Sequence, residues 1–207
     1  MYSRGTQDDK GPTLAALFAA RVLINLGVTF PKRLRFIFGT DEETLWRCMN
    51  KYNQQEEMPS YGFVLDSSFP LTYAEKGLLQ LHLEADNETT LRLRGGISFN
   101  AVPDFLVYEG EDQERLLEAL QELEIPFEKK ENSITVLGKS AHAHVTEQGV
   151  TAISLLAIAL HHIGISTKAI DFIANEIGED SYATTIFGNC EDEVSGKLKC
   201  NIGMIDI

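Results

Sequence analysis

Three acidic groups in the first third of the chain have the residue types and spacing for chemistry: Asp8-Asp9, Asp41-Glu42-Glu43 and Asp66. Each comes where a tight turn or a short apolar segment gives way to a loop. In an α/β sheet the crevice at the carboxyl ends of the strands is where ligands bind, and Glu42-Glu43 and Asp66 follow segments that read as strands. If those strands are neighbours, their carboxylates converge. Converging carboxylates repel one another unless a cation or a proton lies between them, so the pattern points to bound metal. The competing explanation is ordinary loop acids that cap helices, such as Asp41 ahead of a helix from Thr44. Spacing alone leaves both open.

The elements that must position these groups can be read from periodicity. Pro12 suits the first turn of a helix, and Leu14, Leu17, Phe18, Val22 and Leu26 recur at helical spacing until Gly27, which predicts a helix with a buried face over 12–26. Bulky residues 34–38 read as a strand opening into the acidic loop 39–43, followed by a helix over 44–52, a polar loop over 53–60 and a second strand over 61–65 that ends at Asp66. Helix alternating with short apolar strands is the pattern of an α/β layer. The character changes near 75–77. Leu79, Leu81 and Leu83, and then Leu91 and Leu93, alternate with polar residues as half-exposed antiparallel strands do. Leu116, Leu117, Leu120 and Leu123 form a helical stripe over 112–124, with a strand at 134–137, helices at 150–163 and 169–177, and a last strand at 198–207. The fold class expected is therefore a partial α/β catalytic domain with a mixed sheet over 1–75, followed by an α+β two-layer lid domain of ferredoxin-like strands and helices over 76–207. No internal repeat or low-complexity segment interrupts this pattern.

Composition narrows the function. The chain has 207 residues and 43% hydrophobic content, enough to bury a core. Its net charge of −13 has the wrong sign for a phosphate backbone or an anionic membrane, which sets aside nucleic acid and membrane as partners. The apolar stretch 151–165 is broken by His161 and His162 and falls short of the roughly 20 residues of a spanning helix. No apolar signal segment follows Met1, and the three cysteines are sparse and odd in number, so a reduced, cytoplasmic compartment is expected. Nine acids against three bases over 106–133 read as a solvated helix face.

Taken in order, Arg4-Gly5-Thr6-Gln7-Asp8-Asp9-Lys10-Gly11-Pro12, Phe38-Gly39-Thr40-Asp41-Glu42-Glu43, Gly62-Phe63-Val64-Leu65-Asp66 with Phe69-Pro70, Glu75-Lys76-Gly77 and Gly138-Lys139-Ser140-Ala141-His142-Ala143 resemble metallopeptidase family 20. That family includes carnosinases, aminoacylases, glutamate carboxypeptidases and bacterial dipeptidases. The order and spacing are most similar to the dipeptidase V type, and the resemblance runs along essentially the whole chain. It implies a co-catalytic pair of divalent metals about 3.5–4 Å apart, Zn2+ with Mn2+ or Co2+ as alternatives. By motif position Asp8 would bridge both ions, Glu43 would bind one, Asp66 the other, and Glu42 would be the general base. Asp9 would help shape the loop, where the family commonly has a cis peptide between the two aspartates, and Gly5 and Gly11 would let it turn tightly. His142 would stabilise the oxyanion and Asn100 would contact substrate. His144 stands where the family usually has a small residue and reads as an exposed substitution. His161 and His162 read as structural, and the cysteines match no metal spacing.

The resemblance also implies a His-x-Asp segment upstream of Asp8 and a returning catalytic segment beyond the lid, and this sequence contains neither. The expectation is a piece of a longer dipeptidase. Each metal would keep two ligands here, Asp8 with Glu43 and Asp8 with Asp66, where catalytic zinc normally has three, so weak metal binding and little turnover by the chain alone are expected. A sheet edge left unpaired would favour a homo-oligomer or a complementing chain. The function implied is metal-dependent hydrolysis of the peptide bond in a small dipeptide substrate. The alternatives are an amide deacylase of the same family, acting on N-acyl or succinylated amino acids, and a non-catalytic association module.

Overall fold

Structure is described for residues 3–42, 46–67, 70–86 and 89–207 of a computed structural model. The chain divides into two units, Met1–Tyr73 and Ala74–Ile207.

In the first unit a wide single turn, Thr6–Lys10, leads directly into helix α1, Gly11–Asn25, with Pro12 in its first turn. Pro there loses no hydrogen bond, because that N–H has no intrahelical acceptor. The helix forms where periodicity placed it, but its apolar face is not buried: Leu14, Phe18 and Val22 are all more than half exposed. Helical periodicity reports only which face could be buried; burial needs a neighbour, and no described residue of this unit is buried. Helix α2, Arg47–Gln55, begins behind Asp41. One Asp41 oxygen accepts the Arg47 amide at 3.0 Å and its Nε at 2.7 Å, and the other accepts Nη2 at 3.0 Å, so the capping role open for Asp41 is the one it has. Arg35 ties segment 34–38 to this helix, donating to the Tyr52 hydroxyl at 2.6 Å and to the Glu57 carbonyl at 2.9 Å.

The strands expected at 34–38 and 61–65 are not present. Neither segment takes part in a ladder. A strand is defined by its neighbour, and neither of these has one among the described residues. The mixed sheet expected for this unit is therefore not seen among its described residues, whose only regular elements are helical. The expected strand at Leu79, Leu81 and Leu83 is likewise absent, and that of Leu91 and Leu93 continues only into β1, Arg94–Gly95.

The second unit holds the core. Strands β2, Phe105–Tyr108, β3, Phe127–Lys129, and β4, Ile134–Leu137, form an antiparallel sheet in the order β2-β4-β3, with Phe105 opposite Leu137 and Phe127 opposite Val136. Between β2 and β3 lies helix α3, Gln113–Glu122, and after β4 comes helix α4, Ala152–His162. Along β2, Leu106 and Tyr108 point inward while Phe105 and Val107 face out, the period-two signature of a sheet covered on one face. Leu116 and Leu120 of α3, Leu156 and Leu160 of α4, and Ile134 and Val136 of β4 are fully buried together. The glutamates of α3 occupy its outer face, as the charge pattern indicates. Helix α5, Lys168–Phe172, runs into a wide turn, Ile173–Ile177. Helix α6, Thr184–Phe187, and a small hairpin of β5, Glu191–Asp192, with β6, Gly196–Lys197, follow. Of the long strand expected over 198–207, only β7, Ile205–Asp206, forms, antiparallel to β1. Mixed α/β composition is thus observed, with small sheets and several helices. Among the described residues no helix is long and apolar enough to cross a membrane.

Asp180 starts α6 and makes a testable electrostatic contribution. It accepts from the Thr184 hydroxyl at 2.5 Å, the Thr184 amide at 2.6 Å and the Tyr182 amide at 2.9 Å, and these bonds, the Thr184 hydroxyl first, hold its carboxyl below the ordinary range. A carboxyl depressed in the folded state contributes stability that is complete above its unfolded value, about 3.9, and lost as pH falls through the folded value. Asp180→Ala is expected to lower the melting temperature at neutral pH and to flatten its decline below about pH 4. Thermal melts across a pH series check this, and an unchanged acid slope in the variant would count against it.

Candidate active site

The chain places its candidate residues in two groups, one in each unit. In the first unit the Asp8-Asp9 turn lies between Gly5 and Gly11. Gly5 has φ +69°, a conformation that L side chains rarely adopt, and a Cβ at Gly11 would lie 2.5 Å from the Thr6 carbonyl oxygen. Both glycines are therefore required by the turn, as the resemblance implies, and the Asp8–Asp9 peptide bond is cis. The Lys10 amide closes the turn on the Gly5 carbonyl at 2.8 Å. Asp9 is half-buried: one oxygen accepts the Thr13 hydroxyl at 3.3 Å, and the other is buried without a hydrogen-bond partner. Asp8 is exposed, as are Glu42, next to the anchored Asp41, and Asp66. Glu43 lies outside the described residues.

Carboxylate oxygens are hard donors that suit a divalent cation, so the chemistry of Asp8, Glu43 and Asp66 fits the metals implied. Their assembly is a different matter. Among the described residues no three His, Cys, Asp or Glu side chains gather into a group that could hold an ion. Segments 34–38 and 61–65, expected to bring Glu42-Glu43 and Asp66 together, pair in no ladder among the described residues, and Glu43 lies outside them.

In the second unit the structure brings His142 and Asn100 together. Ala101 and His142 form an antiparallel bridge, and the Ala143 amide donates to the Asn100 carbonyl at 2.9 Å. Both side chains are exposed, and Asn100 Oδ1 accepts from the Ser98 hydroxyl. His142 Nδ1 accepts the His144 amide at 3.3 Å and lies 2.6 Å from His144 Nδ1, with the ring centroids 4.6 Å apart. A neutral His142 with Nδ1 as acceptor carries its proton on Nε2, which leaves Nε2–H as a donor. That is the group an oxyanion requires. His144, read as an exposed substitution, is exposed and also touches His142. His161 and His162 are structural: His161 Nδ1 lies 2.8 Å from Asp171 and His162 Nε2 lies 3.4 Å from Glu122.

The sequence profile described as peptidase family M20/M25/M40 matches residues 1–52, the part that holds the Asp8-Asp9 turn and Glu42-Glu43. "Putative dipeptidase YtjP" of Bacillus subtilis (strain 168) is 32% identical over 226 residues, 99% of this chain and 49% of that protein. The chain is thus similar to the M20/M25/M40 peptidase family. Further relatives are a "Putative dipeptidase" of Staphylococcus epidermidis (strain ATCC 12228 / FDA PCI 1200), 31% identical over 99% of this chain and 49% of that protein, and "Putative dipeptidase SAB1611c" of Staphylococcus aureus (strain bovine RF122 / ET3-1), 30% identical with the same coverage. The chain spans about half the length of these relatives. Peptidases of the family are generally metal-dependent.

Proposed function

We propose that this chain contributes part of the active site for hydrolysis of dipeptides, with divalent metal ions, Zn2+ ahead of Mn2+ or Co2+, as cofactor. The observation that carries this reading is the similarity of nearly the whole chain, 99% of it, to proteins named as dipeptidases. In it, residues 1–75 belong to the catalytic domain and 76–207 form the lid. Asp8, Glu43 and Asp66 would be the residues of this chain that hold the metal. Bound metal supplies a Lewis acid and lowers the pKa of the attacking water. Glu42 takes that water's proton on a carboxylate oxygen and returns it to the leaving amine nitrogen. His142 donates from Nε2 to the developing oxyanion, and Asn100 contacts the substrate. Asp9, Gly5 and Gly11 keep Asp8 in place. The partner is a small peptide and the compartment is the cytoplasm.

The test assays the chain alone, and fused in place of the aligned half of the Bacillus subtilis relative, against dipeptides and N-acyl amino acids. Each form is measured with Zn2+, Mn2+ or Co2+ and after chelation. The fusion is expected to cleave dipeptides in preference to N-acyl amino acids, to lose activity on chelation and to regain it with metal, while the chain alone turns over little. A preference for N-acyl amino acids assigns the deacylase reading instead. Failure of every form on both substrate classes refutes catalysis and leaves the association module.

A further inference from the structure

We propose that Asn201 is a positioning residue that grips the 99–101 segment on both sides of Asn100 and so keeps Asn100 and His142 side by side. The importance of this pair for catalysis rests on the peptidase reading above; the grip itself rests on geometry.

The Asn201 carboxamide donates from Nδ2 to the Phe99 carbonyl at 3.2 Å and to the Ala101 carbonyl at 2.9 Å. These are the two carbonyls that flank Asn100. From the same segment, the Ala143 amide donates to the Asn100 carbonyl at 2.9 Å, Ala101 bridges His142, and the Val102 amide donates to the Ala141 carbonyl at 2.8 Å. A side chain that holds 99 and 101 therefore also holds the backbone on which His142 stands. The orientation of the carboxamide is set by chemistry. Two carbonyl oxygens require the NH2 end, and the flipped amide would face oxygen with oxygen. Its own oxygen is buried without a protein partner and lies at a cavity of about 50 Å³. Thr151 and Ser154, at the start of α4, line the same cavity, and their hydroxyls are also buried without partners. A space of that size has room for an ordered water, which would give these groups a partner.

The backbone around Asn201 is shaped for this reach. A Cβ at Gly203 would lie 2.6 Å from the Ser98 carbonyl oxygen and 2.9 Å from Phe99 Cα, so only glycine lets the 201–203 segment pass this close to the Asn100 segment.

The deciding experiment is amide hydrogen exchange by NMR on this chain, comparing wild type with Asn201→Ala and Asn201→Asp. Aspartate keeps the size and an oxygen but loses both donors, so it separates the grip from the filling of space. The expected result is at least a tenfold loss of protection at the Ala143 and Val102 amides in both variants, with the β2–β4 ladder amides unchanged. Equal loss at the ladder amides would make Asn201 a general stability residue and overturn the proposal. So would retained protection in Asn201→Ala, or wild-type behaviour of Asn201→Asp. In the fusion described above, Asn201→Asp is expected to lower kcat more than tenfold with KM changed less than threefold. An unchanged kcat there, with the exchange effect present, would remove the positioning role in catalysis. A wild-type fusion that cleaves no dipeptide refutes the peptidase reading and leaves the exchange result to decide the grip.

Discussion

Glu42→Gln is expected to lower kcat for dipeptide hydrolysis by about 10²–10⁴-fold in any active form that contains this chain, with metal affinity unchanged. Glutamine has nearly the shape of glutamate and keeps an oxygen acceptor, so it can orient a water but cannot take its proton. The loss therefore falls on the chemical step and not on binding. Glu42 is well placed for such a test because its neighbour is anchored: Asp41 is held by the Arg47 amide and guanidinium at 2.7 to 3.0 Å, so a substitution at 42 leaves the start of α2 intact. Asp8→Asn is the contrasting change. In the proposed function Asp8 is a metal ligand, so its variant is expected to act through affinity and to recover activity as metal concentration rises, whereas Glu42→Gln does not. Steady-state kinetics combined with calorimetric metal titration separates the two. A Glu42→Gln enzyme with wild-type kcat would place the base elsewhere.

The parts of this chain that were legible in its sequence are those decided by local chemistry. Helices α3 and α4 follow from apolar stripes with clear ends, and the Asp8-Asp9 turn from two glycines for which the backbone leaves no alternative. Asp41 as a cap was open in the sequence and is settled by Arg47. The strands expected at 34–38 and 61–65 do not form, because an apolar run cannot show whether a neighbour is present to complete its hydrogen bonds. The short strand β2 was missed: four residues, Phe105–Tyr108, carry too little alternation to stand out beside an acidic stretch. The same distinction applies at the site. His142 was singled out by its motif and Asn100 by the Asn-Ala-Val-Pro segment, and neither pattern showed that their backbones lie side by side. Asn201 carried no signal, since what defines it is a pair of carbonyls about a hundred positions earlier in the chain. Contact between His142 and His144 likewise depends on the turn at Ala143–Gln148, whose form spacing alone did not indicate.

Gly96→Ala is expected to destabilise the chain by about 2–5 kcal/mol, combining about 1–2 for a left-handed backbone and 1–3 for overpacking. Gly96 has φ +79°, and a Cβ there would lie 1.9 Å from the Gly203 carbonyl oxygen and 2.9 Å from Met204 Cα. Both obstacles are backbone, so no rotamer change relieves them. The segment pushed away is the one that zips β7 to β1, with Gly95 opposite Ile205, Arg94 opposite Asp206, and paired bonds between Leu93 and Ile207. Leu93 and Ile205 are buried there, so displacement exposes core side chains as well as breaking the ladder. Gly164→Ala provides the internal control. Gly164 has the same φ of +79° with no atom within 4 Å of the added Cβ, so it registers the backbone strain without the clash. Denaturant unfolding should show a lower midpoint for both variants at unchanged m, with Gly96→Ala the more damaging by about 1–3 kcal/mol. Equal costs would mean that the 203–204 backbone yields freely. The close crossing that brings Asn201 within reach of Phe99 and Ala101 would then be a soft contact, and the Ala143 amide would lose no protection in Gly96→Ala.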